Sequence, residues 1–364
     1  MMAPFDVLVV DDSIFMRKII SDFISEDPGL RVVGTAKNGR EAIEMVKKLN
    51  PHAVTMDIEM PEMNGLDALR TIMREHPVPV IMLSSLTQDG ATETIRALEL
   101  GAFDFVGKPS GSISLDLYKV KQNLLEKLRV AVRTRMKGIQ VPTRSAAASL
   151  QAAKPAVKLE RKSTIPRGGS FEHLVAIGTS TGGPRALHQV LSQIPDGFGA
   201  PVLIVQHMPP NFTKSLAQRL DSSSYLRVVE AEAGMVLESG TAYVAPGGFH
   251  MTATRNGAHS YKIHLSKEEH RNGHRPSVDV MFESLLPLKE LKRHIVIMTG
   301  MGSDGSKGMM ALKQSGAITT IAEAEQTCVV YGMPRAAVEL GCVTHVLPQQ
   351  QIAGKLIQAV GGQH

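Results

Sequence analysis

Short apolar runs alternating with amphipathic helical stretches, in two separate series, constrain this chain more than any other feature of its sequence. In the first series the runs fall at residues 7–10, 31–36, 53–56, 78–83 and 103–106, with helix-period stretches at 13–25 and 39–49 between the early ones. Runs this short and aliphatic suit strands covered on both faces, which in a strand–helix alternation means a parallel sheet flanked by helices. An aromatic content of only 4%, with no Trp, points the same way, because the cores must then be aliphatic. The second series begins at 173–177 and continues at 202–205, 227–229, 241–244, 295–298, 317–321 and 343–347. Within 247–266, Asn256-Gly257 between two possible strands signals an antiparallel hairpin. The expected fold class is α/β in two domains: a doubly wound five-stranded parallel sheet, then a second α/β sheet carrying that hairpin.

A chain of 364 residues exceeds one typical core and suits this division. The expected domains are 1–125 and 170–360, joined over 126–169 by a helix and a flexible basic linker. Ala146-Ala147-Ala148, scattered Pro, and Arg144, Lys154, Lys158, Arg161, Lys162 and Arg167 mark the linker, which has no apolar period. The formal charge of +5 and pI near 9.1 are read as a solvated surface rather than a nucleic-acid footprint. Two cysteines, Cys328 and Cys342, are too few for a disulfide framework; they suit small buried residues in a reducing cytoplasm. The N-terminus lacks a secretory pattern, and no run approaches the ~18 apolar residues that span a bilayer. A cytoplasmic chain without membrane insertion is expected.

Ligands of open α/β sheets sit at the carboxyl ends of the strands. In the first series those ends carry Asp11 and Asp12, Asp57, Ser84, and Lys108. Three carboxylates in one crevice repel one another unless a hard cation neutralises them, and Mg²⁺ takes oxygen ligands of this kind. Mg²⁺ beside a carboxylate supports phosphoryl transfer onto it, with Lys108 and Ser84 to hold the new oxygens. Each residue has an ordinary alternative: Asp12 as a helix cap, Lys108-Pro109 as a turn. Their recurrence at successive strand ends favours a site. In the second series, Gly178-Thr179-Ser180-Thr181-Gly182 follows a strand and precedes a helix that begins near Pro184. Such a G-x-S-x-G turn can expose Ser180 beside free helix N–H groups. It can equally be a Gly-rich capping turn or a phosphate loop, although no G-x-x-x-x-G-K-[ST] is present and the next strand ends in Gln206-His207 rather than an acidic residue. His207 is placed to take a serine proton. A third strand end leads through Thr299-Gly300-Met301-Gly302-Ser303 to Asp304, which can orient that imidazole or merely cap the following helix. The order Ser180, His207, Asp304 differs from the Ser–Asp–His order of α/β-hydrolases.

The motifs Val7-Leu8-Val9-Val10-Asp11-Asp12-Ser13, Asp57-Ile58-Glu59-Met60-Pro61, Asn64-Gly65 and Lys108-Pro109 make the first domain resemble a bacterial two-component receiver, which is flavodoxin-like. That resemblance implies Asp57 as phosphoacceptor and a Mg²⁺ held by Asp12, Asp57 and the Glu59 backbone carbonyl with Asp11 close by. It also implies Ser84 and Lys108 on the phosphoryl group, and Phe105 as the aromatic switch residue. The second half resembles the Rossmann-like catalytic domain of chemotaxis protein-glutamate methylesterases, the CheB family. The match rests on Gly178-Thr179-Ser180-Thr181-Gly182-Gly183, Gln206-His207-Met208-Pro209, Tyr243-Val244-Ala245-Pro246-Gly247-Gly248, Met298-Thr299-Gly300-Met301-Gly302-Ser303-Asp304-Gly305, Asp279 in Arg275-Pro276-Ser277-Val278-Asp279, and Tyr331-Gly332-Met333-Pro334. It implies Ser180 as nucleophile, His207 as general base and Asp304 as its orienter, with the Met301 N–H as oxyanion donor, Thr181 nearby and no cofactor. Two features depart from the family: Thr179 replaces a small residue such as Ala, and the linker is long. The implied function is phosphorylation-activated hydrolysis of glutamate methyl esters on chemoreceptors, and deamidation of receptor glutamines. The implied partners are a chemotaxis histidine kinase as phosphodonor and the cytoplasmic helices of methylated receptors as substrate. A monomer is expected, with the unphosphorylated receiver covering the catalytic cleft.

Two other classes fit a receiver-bearing chain. A DNA-binding effector would be short and helical, whereas this one is long and strand-rich. A non-catalytic adaptor would not need the serine. His250, His259, His264, His270 and His274 lack metal-site spacing and are read as a solvated hairpin, while Met208, Met301 and Met333 are placed along the substrate cleft.

Overall fold

The computed structural model describes residues 3–108, 114–134 and 171–361. The chain divides into two compact units, Met1–Ala153 and Lys154–His364. Most of the expected linker, and Pro109 of the Lys108-Pro109 pair, lie outside the described residues.

In the first unit β1 (Phe5–Val10), β2 (Leu30–Ala36), β3 (Ala53–Asp57), β4 (Val80–Ser84) and β5 (Asp104–Gly107) form one parallel sheet in the order β2-β1-β3-β4-β5. Val7, Leu8, Val9 and Val10 are fully buried, as a central parallel strand requires. The helix Ser114–Ala131 lies mostly ahead of the expected 126–169 join; it packs on β5 and the helix Ile14–Ser25, so it belongs to the sheet's own layers. The order reverses between β1 and β3, and the crevice of a doubly wound fold opens above that pair.

The second unit holds seven parallel strands: β6 (His173–Thr179), β7 (Val202–Gln206), β8 (Arg227–Glu230), β9 (Thr241–Val244), β12 (Lys292–Ile297), β13 (Thr319–Glu323) and β14 (His345–Leu347). Their order is β14-β13-β12-β6-β7-β9-β8. Between β9 and β12 the chain makes the antiparallel ribbon β10 (His250–Arg255) and β11 (Tyr261–Ser266). Asn256-Gly257 lies in its connection but does not make a two-residue turn, because Arg255 pairs with Tyr261 across a longer loop. Strands run from β6 one way to β7 and the other way to β12, so this switch point sits above β6, β7 and β12.

Candidate functional site

The first unit's acidic crevice forms where the strand ends predict it. Carboxylate oxygens of Asp11, Asp12 and Asp57 lie within 4.8 Å of one another. Ser13, not Asp12, caps the first helix, through the Met16 N–H, and Asp12 stays exposed. Lys108 Nζ lies 2.7 Å from Asp57 Oδ2 and 3.0 Å from Asp11 Oδ2. Asp11 Oδ2 is buried, with that ammonium as its charged neighbour. Burial pushes the Asp57 carboxyl up to about 6 and the Asp11 charge adds to the rise, while Lys108 opposes it. Two buried carboxylates sharing one ammonium, beside the exposed carboxylate of Asp12, are a donor set suited to a hard divalent cation. A cleft of about 440 Å³ opens beside them, with Asp12, Glu59, Asn64 and Glu93 on its walls. The Glu59 N–H points back at Asp57 Oδ1, 3.4 Å away.

Ser84 sits at the crevice but faces elsewhere. Its hydroxyl accepts from Thr94 Oγ1 at 2.6 Å and directs its hydrogen to the Ser85 and Gly90 carbonyls, each at 3.1 Å. Phe105 is buried, and Lys127 holds it: the ammonium donates to the Phe105 carbonyl at 2.8 Å, pairs with Asp104 at 2.9 Å and lies 5.2 Å from the ring centre.

In the second unit the site is assembled by strand register. Thr179 of β6 pairs with Gln206 of β7, so Ser180 and His207 are the next residues on neighbouring strands. The Gln206 side chain ties the two ends: its Oε1 accepts from Thr179 Oγ1, and its Nε2 donates to the carbonyls of Ser180 at 3.0 Å and His207 at 3.1 Å. This explains Thr179, whose hydroxyl an Ala would not supply. A side chain at Gly183 would collide with both partners of that bond. From the other side the Ser180 N–H donates to Thr299 O at 3.0 Å, and Gly300 passes so close that a Cβ on it would lie 2.7 Å from that of Ser180.

His207 Nε2 and Asp304 Oδ2 are 2.8 Å apart. Asp304 does not cap the helix Ser306–Gln314 that follows it. It accepts instead from Val278 N–H at 2.7 Å and Asp279 N–H at 3.1 Å, the first amides of the helix Val278–Glu283. Asp279 in turn accepts from the Gly308 N–H, at 2.8 Å, in the first turn of Ser306–Gln314. The two helices exchange caps, and each dipole favours the other's carboxylate. Burial works to raise Asp304, but the His207 hydrogen bond and charge and the two backbone N–H donors outweigh it and hold the carboxyl well below its usual range. Asp279 accepts fewer bonds, and burial leaves it raised. With Asp304 ionised, the proton of the short bond sits on Nε2, and His207 Nδ1 is the nitrogen left to accept one. Nδ1 is buried without a hydrogen-bond partner among the described residues, so the Ser180–His207 bond is not closed in this conformation. Apo relays of this kind are often open and tighten on substrate. Ser180 and Met301 are partly exposed, Thr181 is buried, and the Met301 N–H donates to no other described residue. The arrangement can do acyl transfer: a hydroxyl, an imidazole with its lone pair on Nδ1, a carboxylate behind it and a free backbone N–H beside the serine.

Sequence reasoning missed three residues here. His274 is not a solvated hairpin residue; its ring stacks on His207 with centres 3.7 Å apart and planes 6° apart. His274 is half-buried and His250 is buried, while His259, His264 and His270 are exposed as expected. Asn272 Nδ2 reaches Asp279 Oδ2 at 3.2 Å and Asp304 Oδ1 at 3.3 Å. Glu323, wholly buried at the end of β13, accepts from the Thr299 N–H at 2.9 Å and so supports the loop that holds Ser180. The repeated Asn-Gly dipeptide at 272–273 was the available signal for the first two; nothing marked Glu323. Met333 is fully buried against Gly300 rather than open to a cleft. Cys342 is buried as expected, and Cys328 only partly.

The family model described as CheB methylesterase matches residues 175–356, and the response regulator receiver domain matches 7–117. The protein-glutamate methylesterase/protein-glutamine glutaminase of Geobacillus kaustophilus is 51% identical over 360 residues, covering 99% of this chain and 100% of its own. The protein of the same name from Bacillus subtilis is 44% identical over 356 residues, covering 97% and 98%. The crystal structure of the Thermotoga maritima CheB methylesterase catalytic domain superposes with a TM-score of 0.51 at 45% identity, covering 53% of this chain and all of that one.

Proposed function

This chain belongs to the CheB methylesterase family, with a receiver domain ahead of the catalytic one, and from that premise we propose that Ser180, His207 and Asp304 carry its hydrolysis. The protein is a protein-glutamate methylesterase and protein-glutamine glutaminase of chemoreceptors, regulated by its receiver. The observation that carries the site assignment is the convergence of three strand ends, with His207 and Asp304 joined at 2.8 Å and Ser180 one register step beyond the Thr179–Gln206 pair.

Ser180 Oγ attacks the γ-carbonyl carbon of a glutamyl methyl ester while its proton passes to His207 Nδ1. Asp304 balances the imidazolium through Nε2–H, and the Met301 N–H, with Thr181 beside it, receives the oxyanion. The tetrahedral adduct collapses, His207 returns the proton to the departing oxygen, and methanol leaves. Water activated by the same imidazole then releases the glutamate. With a glutamine side chain the leaving group is ammonia. One positioned base supplies ~10²–10⁴-fold and an oxyanion donor about as much again.

In the receiver, Asp57 is the phosphoacceptor, with a histidine kinase as phosphodonor. Asp11, Asp12, Asp57 and the Glu59 carbonyl would hold Mg²⁺, which supplies charge neutralisation for phosphoryl transfer. Lys108 then moves from pairing two carboxylates to holding a phosphoryl oxygen, and Ser84 turns from Gly90 toward it. That change biases a two-state receiver, with Phe105 as the moving aromatic, and relieves inhibition of the catalytic unit. Among the described residues no helix is long and apolar enough to cross a membrane, and the receptors are met through their cytoplasmic helices. The test is methanol release from methylated receptor membranes with and without a small-molecule phosphodonor. Stimulated release that Asp57→Asn removes is expected; release that ignores the phosphodonor contradicts the regulation.

A further inference from the structure

We infer that the tight turn at residues 271–274 is a positioning element of the hydrolytic site, with the His274 ring fixing the plane of the His207 imidazole. The inference rests on the reading of His207 as the base.

Arg271 and His274 exchange backbone hydrogen bonds, at 3.1 and 2.9 Å, around Asn272 and Gly273. Both central residues have positive φ, 54° and 81°, the left-handed pair that suits Asn-Gly and that makes a two-residue connection stiff. Arg271 Nη2 also donates to Glu283 Oε1 at 2.8 Å, which ties the turn to the helix Val278–Glu283. One short segment therefore delivers two side chains to one relay: the Asn272 amide to Asp304, and the His274 ring to His207.

The His207–Asp304 bond anchors Nε2, but the tolerance of a single hydrogen bond still lets the ring rock about Cβ–Cγ and so tilt its plane. Where Nδ1 points depends on that plane, and Nδ1 must meet the Ser180 hydroxyl. A parallel ring 3.7 Å away removes this freedom. Gln206 fixes the backbone of His207 only through its carbonyl. Asn272 keeps the second carboxylate, Asp279, bridged to Asp304 through an amide rather than facing it directly. His274 is thus a positioning residue: it acts through His207 and is not required to touch substrate.

The test uses the full chain with phosphodonor and reads kcat and KM for methanol release in His274→Phe, His274→Leu and His274→Ala, with His207→Ala as control. Phe keeps a flat ring without the imidazole; Leu keeps bulk without the plane. Loss of about tenfold or more in kcat for Leu and Ala, with KM within about twofold, and Phe within about threefold of wild type, is expected. Should the Ala variant fail to fold, the Leu–Phe comparison decides. Leu within about twofold of wild type, or Phe as slow as Leu, overturns the inference. An inactive His207→Ala beside a normal His274→Leu rejects the positioning role alone, whereas an active His207→Ala rejects the catalytic reading beneath it.

Discussion

Replacing Glu323 by Gln should change how the stability of the catalytic unit depends on pH. Glu323 is wholly buried at the end of β13; one oxygen accepts from the Thr299 N–H at 2.9 Å and the other has no hydrogen-bond partner among the described residues. Burial pushes its carboxyl from 4.5 up to about 7 against the pull of that N–H. Below 4.5 the folded and unfolded chains both keep the proton, and the stabilisation from the neutral form is complete. Between 4.5 and 7 the unfolded chain ionises while the folded one does not, so stability falls as pH rises, and the loss is complete once the folded group has ionised. A displacement of that size amounts to ~3 kcal/mol. Gln cannot ionise. Its amide adds a constant offset, but the difference between E323Q and wild type should move toward the variant by ~3 kcal/mol between about pH 4.5 and pH 8. Urea unfolding followed by near-ultraviolet circular dichroism reads this unit, since Tyr225, Tyr243, Tyr261 and Tyr331 all lie in it and only Tyr118 does not. Titrations common to both proteins cancel in the difference. A gap that stays constant within about 1 kcal/mol over that range, or moves toward wild type, refutes the burial argument.

Asp304→Asn should cut kcat for methanol release by about 10³–10⁴-fold, because the amide cannot balance an imidazolium. It should also lower the stability of the unit by about 1–3 kcal/mol, because the amide nitrogen would face donors where the carboxylate now accepts from Val278 and Asp279; kinetics and urea melts check the two effects separately. Gly65→Ala should destabilise the receiver by about 1–3 kcal/mol and slow its phosphorylation, since the new Cβ would press on the carbonyl of Asp57 itself; thermal melting and phosphate incorporation measure it.

Both sheets were legible because buried parallel strands write themselves as short aliphatic runs, and their polar terminal residues mark the carboxyl edge where ligands bind. Asp11, Asp57 and Lys108 meet as those endings imply. Ser180, His207 and Asp304 follow the same logic, one for each of three neighbouring strands. What the sequence hides is tertiary exchange. Asp304 looks like a cap for its own helix and caps another, a swap visible only when Val278–Glu283 lies against Ser306–Gln314. The two Asn-Gly pairs of the second unit are locally alike, yet 272–273 makes the two-residue turn and 256–257 sits in a longer loop, because the ribbon's register closes at Arg255 and Tyr261. His274 is one of several histidines in a polar stretch, and only the fold stacks it on His207. Ser84 stands at its expected strand end, but Thr94 and Gly90 engage its hydroxyl, which strand position alone does not reveal.

The most direct measurement is covalent trapping of the nucleophile with a serine-directed phosphonate, the adduct being mapped by peptide mass spectrometry. Modification of Ser180 that stops methanol release, and that slows sharply in His207→Ala, is the result this mechanism requires. A label on another residue, or full turnover by Ser180→Ala, would contradict it.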